Sequence, residues 1–269
     1  MNRSARPKIM AIINATPDSF SDGGRFLDPS VAIEHGLRCL EQGADILDIG
    51  GESTRPQAEP VSAEEEIRRV IPIIEGLASR NTLISIDTTK PRVAEAALRA
   101  GAGFINDVSG GRDPDMLALA AKHEVPICLM HMRGTPETMQ QSPRYTDVVK
   151  EVYEYLATRA EAALDAGIAR DSIVVDPGIG FGKTADHNLR LLAELETFTR
   201  LGYQVLVGTS RKSFIGKTLG DLPVDDRLEG SLATVALAIW AGVSIVRVHD
   251  VRETRRVVDI VHAVREAGR

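Results

Sequence analysis

The chain repeats one pattern eight times: a short apolar run rich in β-branched residues, then a longer stretch with helical spacing. The runs are Lys8–Asn14, Asp45–Ile49, Leu83–Asp87, Gly103–Asn106, Pro126–Met130, Ser172–Asp176, Gln204–Gly208 and Ser244–Val248. They read as continuous apolar stretches, not as alternation, which is the pattern of parallel strands covered on both faces. The segments between them carry the three-and-four spacing of amphipathic helices. One opens at Ser62 with a capping sequence, SAEEE, and places Ile67, Val70, Ile71 and Ile74 on one face. Another starts from Pro143 and carries Val148, Val149, Val152, Leu156, Ala160 and Ala163. Others begin near Asp28, Lys90, Asp113, Asp186, Asp225 and Val251. Glycines 43, 101, 167, 202 and 242 follow helix ends, where a left-handed residue is wanted.

Eight βα units in 269 residues predict an α/β fold, a (β/α)8 TIM barrel, as a single domain over residues 1–269. A doubly wound open sheet is the alternative; the regularity of the units and the lack of a Pro/Gly/Ser linker favour closure. A hydrophobic content of 43% with 26% charged residues supplies one sizeable core. The net charge of −6 argues against a nucleic-acid binder, yet leaves room for a local basic pocket. Cys39 and Cys128 lie far apart in apolar surroundings, so they read as buried free thiols and not as a disulfide framework. No stretch approaches the roughly 18 apolar residues of a membrane span. The apolar run near the N-terminus is broken at Asn14, too soon for a signal sequence. The expected compartment is the cytoplasm.

In such a barrel the chemistry collects at the carboxyl ends of the strands. Those ends are polar here: Asn14, Asp48, Asp87, Asn106, His131, Asp176, Ser210 to Lys212 and Arg247 to His249. One Asn or Asp closing a strand is ordinarily a turn residue or a helix cap. Nearly every strand closing this way points to a shared mouth. Asp87, Asn106 and Asp176 offer acceptors and amide donors suited to a flat, nitrogen-rich heterocycle, since a carboxylate takes two parallel N–H bonds from an amidine-like edge. Arg55, Lys212, Arg247 and His249 offer positive charge and donors suited to phosphate. A ring binder beside an anion binder describes a phosphorylated heterocycle. The polar loops after the first two strands, residues 14–24 and 50–56, have the composition of functional lids. The stretch Pro177-Gly-Ile-Gly-Phe-Gly-Lys183-Thr184 nearly spells a nucleotide-binding P-loop, but Pro177 replaces its first glycine. Its glycines are better read as letting backbone approach a ring, with Phe181 or Lys183 packing nearby.

These motifs, in this order, resemble the dihydropteroate synthase family across essentially the whole chain. The resemblance is carried by NATPDSFSDGG at 14–24, DIGGESTRP at 48–56, SIDT at 85–88, NDV at 106–108, CLMHM at 128–132, DPGIGFGK at 176–183, SRKS at 210–213 and RVHD at 247–250. It implies a Mg²⁺-dependent condensation of 6-hydroxymethyl-7,8-dihydropterin diphosphate with p-aminobenzoate. By that analogy Asp87, Asn106, Asp176 and Lys212 hold the pterin, with Met130 and Phe181 as packing partners. Asn14, Arg55, Arg247 and His249 hold the diphosphate, and Asn14 is the Mg²⁺ ligand. Phe20, Thr54, Pro56 and Lys212 wall the p-aminobenzoate slot, whose carboxylate would rest on Ser213 and the helix start that follows. Asp22, Arg55 and Lys212 are the catalytic candidates: Arg55 as a closing cation, Asp22 to stabilise the pterin methylene cation or steer the amine.

Two departures from the family pattern stand out: Gln57 where glycine is common after Thr-Arg-Pro, and Ala15 where a larger β-branched residue is usual. The first leaves sulfonamide tolerance open. The resemblance also implies a homodimer, formed through the last helices. Rival readings are a pterin-binding methyltransferase barrel, a non-catalytic pterin-binding paralogue, and a barrel whose strand-end polar residues only cap helices. The methyltransferase has no need of Arg55, Lys212-Ser213 and Arg247-x-His249 together. The paralogue predicts eroded loops, and both loops are intact in the sequence.

Overall fold

The computed structural model describes residues 6–15, 28–53, 60–80, 82–135, 138–139 and 141–268. Eight parallel strands close into a barrel in chain order. They are β1 (Lys8–Asn14), β2 (Ile46–Gly50), β3 (Leu83–Asp87), β4 (Phe104–Asp107), β5 (Ile127–Met130), β6 (Ile173–Asp176), β7 (Gln204–Gly208) and β8 (Ile245–Val248). β1 pairs with both β2 and β8, which completes the ring. Three strands have the expected bounds; the other five differ by a single residue at one or both ends.

The helices among the described residues are α1 (Pro29–Glu41), α2 (Ala63–Ala78), α3 (Pro91–Ala100), α4 (Pro114–His123), α5 (Val148–Asp165), α6 (Ala185–Ala193), α7 (Leu195–Thr199), α8 (Ser213–Thr218), α9 (Leu228–Trp240) and α10 (Val251–Ala267). Side-chain caps set half of their starts. Asp28, Ser62 and Asp113 accept backbone N–H bonds from the first turns of α1, α2 and α4. α5 begins at Val148, not near Pro143, because Asp147 caps it by accepting from the amides of Val149 and Lys150. The helix expected near Asp225 is a single 3₁₀ turn, Val224–Asp226, and α9 starts two residues later. α6 starts one residue before the expected Asp186, where Thr184 and His187 form a reciprocal capping box. All five glycines expected to close helices have positive φ, from 80° at Gly202 to 118° at Gly101.

Side-chain alternation along the strands divides the interior in two. Ile9, Ala11, Ile13, Leu47, Ile49, Ile84, Ile86, Ile105, Leu129, Val175, Val205 and Val246 face the helices and belong to the main core. Met10, Ile46, Phe104, Cys128, Val174, Leu206 and Ile245 form a separate apolar cluster inside the barrel. Two residues further along β2, β4, β5, β6 and β8, on the same inward face, stand Asp48, Asn106, Met130, Asp176 and Arg247. The barrel is therefore plugged with hydrocarbon at its amino end and lined with polar groups at its carboxyl end. The strands looked continuously apolar because both faces are buried over most of their length.

Candidate active site

Strand register brings the polar layer together. Asn14 pairs with Gly50, Gly50 with Asp87, and Asp87 with Asn106 around one arc of the barrel. Met130 pairs with Asp176, and Gly208 with Arg247, around the other. Of the residues expected in the site, Asn14, Asp87, Asn106, Met130, Asp176, Phe181, Lys212, Ser213, Arg247 and His249 are described. Phe20, Asp22, Thr54, Arg55 and Pro56 lie outside the described residues, as does Gln57.

The centre of the site is a residue noted only as a polar strand end in the sequence. Asp48 is fully buried, and its Oδ2 accepts from Arg247 Nε at 2.6 Å and from Asn106 Nδ2 at 3.0 Å. The other branch of Arg247, Nη2, donates to Asp87 Oδ2 at 2.7 Å. One guanidinium thus holds two buried carboxylates. Burial works against the charge of Arg247, but Asp48 and Asp87 outweigh it and hold the guanidinium ionised. Asp87 has the weaker half of the bargain: burial pushes its carboxyl up to about 7, Arg247 pulls it back, and Asp48 adds repulsion. Asp48 Oδ1, Ser85 Oγ and Asp87 Oδ1 are buried without a hydrogen-bond partner among the described residues. Buried polar atoms are seldom left so. Three of them inside one barrel leave hydrogen-bonding capacity there for a polar ligand or water.

The opposite wall is built by β6, β7 and their loops. Asp176, buried at the end of β6, accepts from Gly178 N at 2.7 Å. Burial raises its carboxyl, with Lys212 the largest opposing influence. Lys212 follows β7 and its ammonium sits 4.6 Å from the centre of the Phe181 ring, while Nζ donates to the carbonyl of Ile179. Burial pushes Lys212 down to about 8 against the pull of Asp176. Phe181 packs on a buried apolar patch of Val108, Met130, Met132 and Met139. That patch and the Phe181 ring provide apolar faces beside the carboxylates, as a flat heterocycle requires. Ser213 is exposed at the start of α8.

The loops after β7 and β8 are tied to each other. His249 donates its backbone N–H to Ser210 Oγ at 3.2 Å, and its Nδ1 lies 3.0 Å from the same oxygen. Arg211 forms a two-pronged pair with Asp250 at 2.5 and 3.1 Å, which raises the pKa of the guanidinium. These contacts set Lys212 and His249 on adjacent loops, with Arg247 below them on β8. Asn14 ends β1, part-buried, next to Gly50. Among the described residues no group of three or more His, Cys, Asp or Glu side chains is arranged to hold a metal ion.

The barrel with these buried carboxylates at its mouth, and Arg247, Lys212 and His249 beside them, has known relatives in fold and sequence. The profile of the pterin binding enzyme family matches residues 10–249. The dihydropteroate synthase of Escherichia coli K12 is 46% identical over 264 residues, covering 98% of this chain and 93% of its own length. The chain belongs to the dihydropteroate synthase family. Solved dihydropteroate synthases share the fold closely. One from Xanthomonas albilineans with 4-aminobenzoic acid has a TM-score of 0.92 at 48% identity, covering 97% of this chain and 94% of that one. One from Yersinia pestis with a sulfonamide drug complex has a TM-score of 0.93 at 44% identity, covering 99% and 96%. As a member of this family the chain is a transferase of folate synthesis.

Proposed function

We propose that the polar layer of this barrel performs the condensation with the ring end of the substrate on Asp87, Asn106, Asp176 and Lys212 and the diphosphate end on Asn14, Arg247 and His249. The observation that supports this division is the Asp48–Arg247–Asp87 network, which is anionic toward the barrel centre and leaves acceptor atoms unfilled there. Those acceptors suit the N–H groups of a pterin edge. Met130 and Phe181 cover the ring faces.

The C–O bond between the pterin methylene and the diphosphate breaks first, and its electron pair leaves with the diphosphate. The leaving charge is met by Arg247, His249 and a closing Arg55. The cation left on the methylene is delocalised into the ring, with Asp22 stabilising it or steering the amine. The aniline nitrogen forms the new C–N bond and loses a proton to water; no enzyme nucleophile is needed. Phe20, Thr54, Pro56 and Lys212 form the p-aminobenzoate slot, and Ser213 receives its carboxylate.

A Mg²⁺ ion fits this donor set. The described residues offer no protein cage, and Mg²⁺ keeps several waters and takes few protein ligands. The Asn14 amide oxygen and the substrate phosphates would hold it, and it would neutralise charge on the leaving group. A slot shaped for p-aminobenzoate also admits sulfonamides, so the chain is a sulfonamide target whose tolerance depends on the loop around Gln57. Two copies pair through α9 and α10, where Leu237, Trp240, Ile260 and Val264 are between 50% and 62% exposed. No helix among the described residues is long and apolar enough to cross a membrane, and both cysteines are free and buried, which is compatible with a reducing cytoplasm.

The deciding experiment supplies purified protein with dihydropterin diphosphate and Mg²⁺, with and without p-aminobenzoate. Diphosphate release that requires p-aminobenzoate, with dihydropteroate in equal amount, is the expected result. Tight pterin binding without product would instead identify a non-catalytic paralogue.

A further inference from the structure

The lysine of the P-loop-like stretch does not face the mouth. Lys183 is 3% exposed, and no carboxylate lies within hydrogen-bonding distance of its Nζ among the described residues. Its three nearest acceptors are His131 Nδ1 at 2.9 Å, the Gly178 carbonyl at 2.9 Å and the Phe181 carbonyl at 3.0 Å; the His131 carbonyl is farther, at 3.4 Å. An ammonium has three N–H donors. Three close acceptors use all of them, and His131 must then accept through Nδ1 as the neutral ring. Burial and the neighbouring Lys183 charge agree with that state, pushing the imidazole down to about 2. Burial also lowers Lys183 well below its usual value, with Asp176 the main influence holding it charged.

The carbonyls that Lys183 gathers belong to the loop between Asp176 and α6. Turned inward, they leave the Ile179 carbonyl to meet Lys212 and the Phe181 ring to lie under the same ammonium. The loop sits on the 131–133 backbone so closely that a Cβ on Gly178 would come 1.9 Å from the His131 carbonyl, with φ at +67°. Tyr145 Oη closes the far end by donating to the Gly182 carbonyl at 2.8 Å. Asn188 Oδ1 accepts from Gly180 N at 2.7 Å. Each contact fixes a backbone atom of the segment carrying Phe181 and facing Lys212.

We infer that Lys183, seated on His131, is a positioning residue that sets the 177–182 loop in the conformation that binds the pterin ring, by holding the Gly178 and Phe181 carbonyls inward. This rests on the reading that Asp176, Phe181 and Lys212 form the ring site. Lys183 itself touches no substrate.

The test is the dissociation constant for dihydropterin diphosphate, measured by calorimetry with Mg²⁺ present, alongside KM for p-aminobenzoate. Lys183→Met keeps the stem and removes the donors. It is expected to weaken pterin binding at least tenfold, with a distinctly smaller rise in KM for p-aminobenzoate, since only Lys212 borders both sites. His131→Gln, which keeps an acceptor, is expected to stay within threefold of the parent, and His131→Leu to lose as much as Lys183→Met. Pterin binding within threefold of the parent in Lys183→Met overturns the inference. So does an equal loss of both affinities, which would mark a general structural defect. Should Lys183→Met not fold, equal behaviour of the two His131 variants overturns it instead. Asp176→Ala separates the two levels: near-normal pterin binding in that variant would sink the ring site itself, whereas a loss there with Lys183→Met intact sinks only the positioning role.

Discussion

Arg247 Nε donates to Asp48 Oδ2 at 2.6 Å, so a guanidinium on the last strand is fixed by a carboxylate on the second, 199 residues earlier in the chain. The same Asp48 oxygen accepts from Asn106. A residue assigned to the diphosphate and a residue assigned to the ring are thereby held by one anchor. Removing one partner of a buried pair costs about 3–5 kcal/mol when the other charge is left alone. Here Asp87 still faces Arg247, so the structural loss should be smaller. Asp48→Asn is expected to fold with a lowered Tm and to lose at least tenfold in kcat/KM for the pterin substrate. Wild-type steady-state kinetics in that variant would show that Asp48 orders nothing of functional value.

The raised Asp87 carboxyl gives a pH dependence with a defined sign. An unfolded Asp titrates at about 3.9; in the folded protein Asp87 is held up to about 7, burial being the first cause. The folded state therefore binds this proton more tightly. Its stabilising contribution is complete below the unfolded value and is lost as pH rises through about 7. Thermal melts between pH 5 and pH 8 should show a fall in Tm that Asp87→Asn flattens. Pterin binding, which uses the ionised carboxylate as acceptor, should strengthen over the same interval. A wild-type slope retained in Asp87→Asn would assign the titration elsewhere.

Asp176→Ala removes a buried acceptor at the end of β6 and is expected to weaken pterin binding more than tenfold, with little effect on the apolar core that faces the helices. Equilibrium titration with the pterin substrate measures this directly.

Arg55 is expected to act late, as the cation that closes on the leaving diphosphate. Arg55→Ala should slow turnover by one or two orders of magnitude, roughly the 1.4 to 2.8 kcal/mol of one charge-assisted contact. Its pterin dissociation constant should remain close to that of the parent. Unchanged turnover would remove Arg55 from the mechanism.

Metal removal and assembly each make a separable prediction. Chelating Mg²⁺ should abolish product formation with no change in Tm, and Asn14→Ala should raise the Mg²⁺ concentration for half-maximal rate. Trp240→Glu with Ile260→Glu places charge on the exposed apolar face of α9 and α10. Light scattering after size exclusion is expected to report a dimer for the parent and a monomer for the double variant.

The architecture was legible because each βα unit is a local event. Apolar runs such as Lys8–Asn14 and Gln204–Gly208 suit strands buried on both faces, and residues such as Ser62 and Asp28 start helices through bonds to amides two or three positions away. Eight such units in one chain leave the closed barrel as the natural way to cover every strand. The polar strand ends followed from the same frame: Asp87, Asn106, Asp176 and Arg247 stand toward the carboxyl ends of their strands, and Lys212 on the loop after β7. Where local signals competed, the reading slipped: Asp147 outbid Pro143 as the start of α5.

Tertiary structure alone decided how those residues are wired. Asp48 looked like any other strand-end acid, and nothing near it in sequence marks it as the partner of Arg247 and Asn106; pairing of β2 with β3 and β3 with β4 brings Asn106 near, and barrel closure, which pairs β8 with β1 beside β2, brings Arg247. Lys183 likewise sits in a stretch that advertises phosphate binding, yet it turns inward, where His131 Nδ1 and two loop carbonyls accept from its ammonium. The sequence by itself determined which chemical groups this protein has and which end of the barrel they occupy, since backbone periodicity and capping act over a few residues. Which group neutralises which depended on contacts between residues far apart in the chain, and those exist only once the ring of strands is closed.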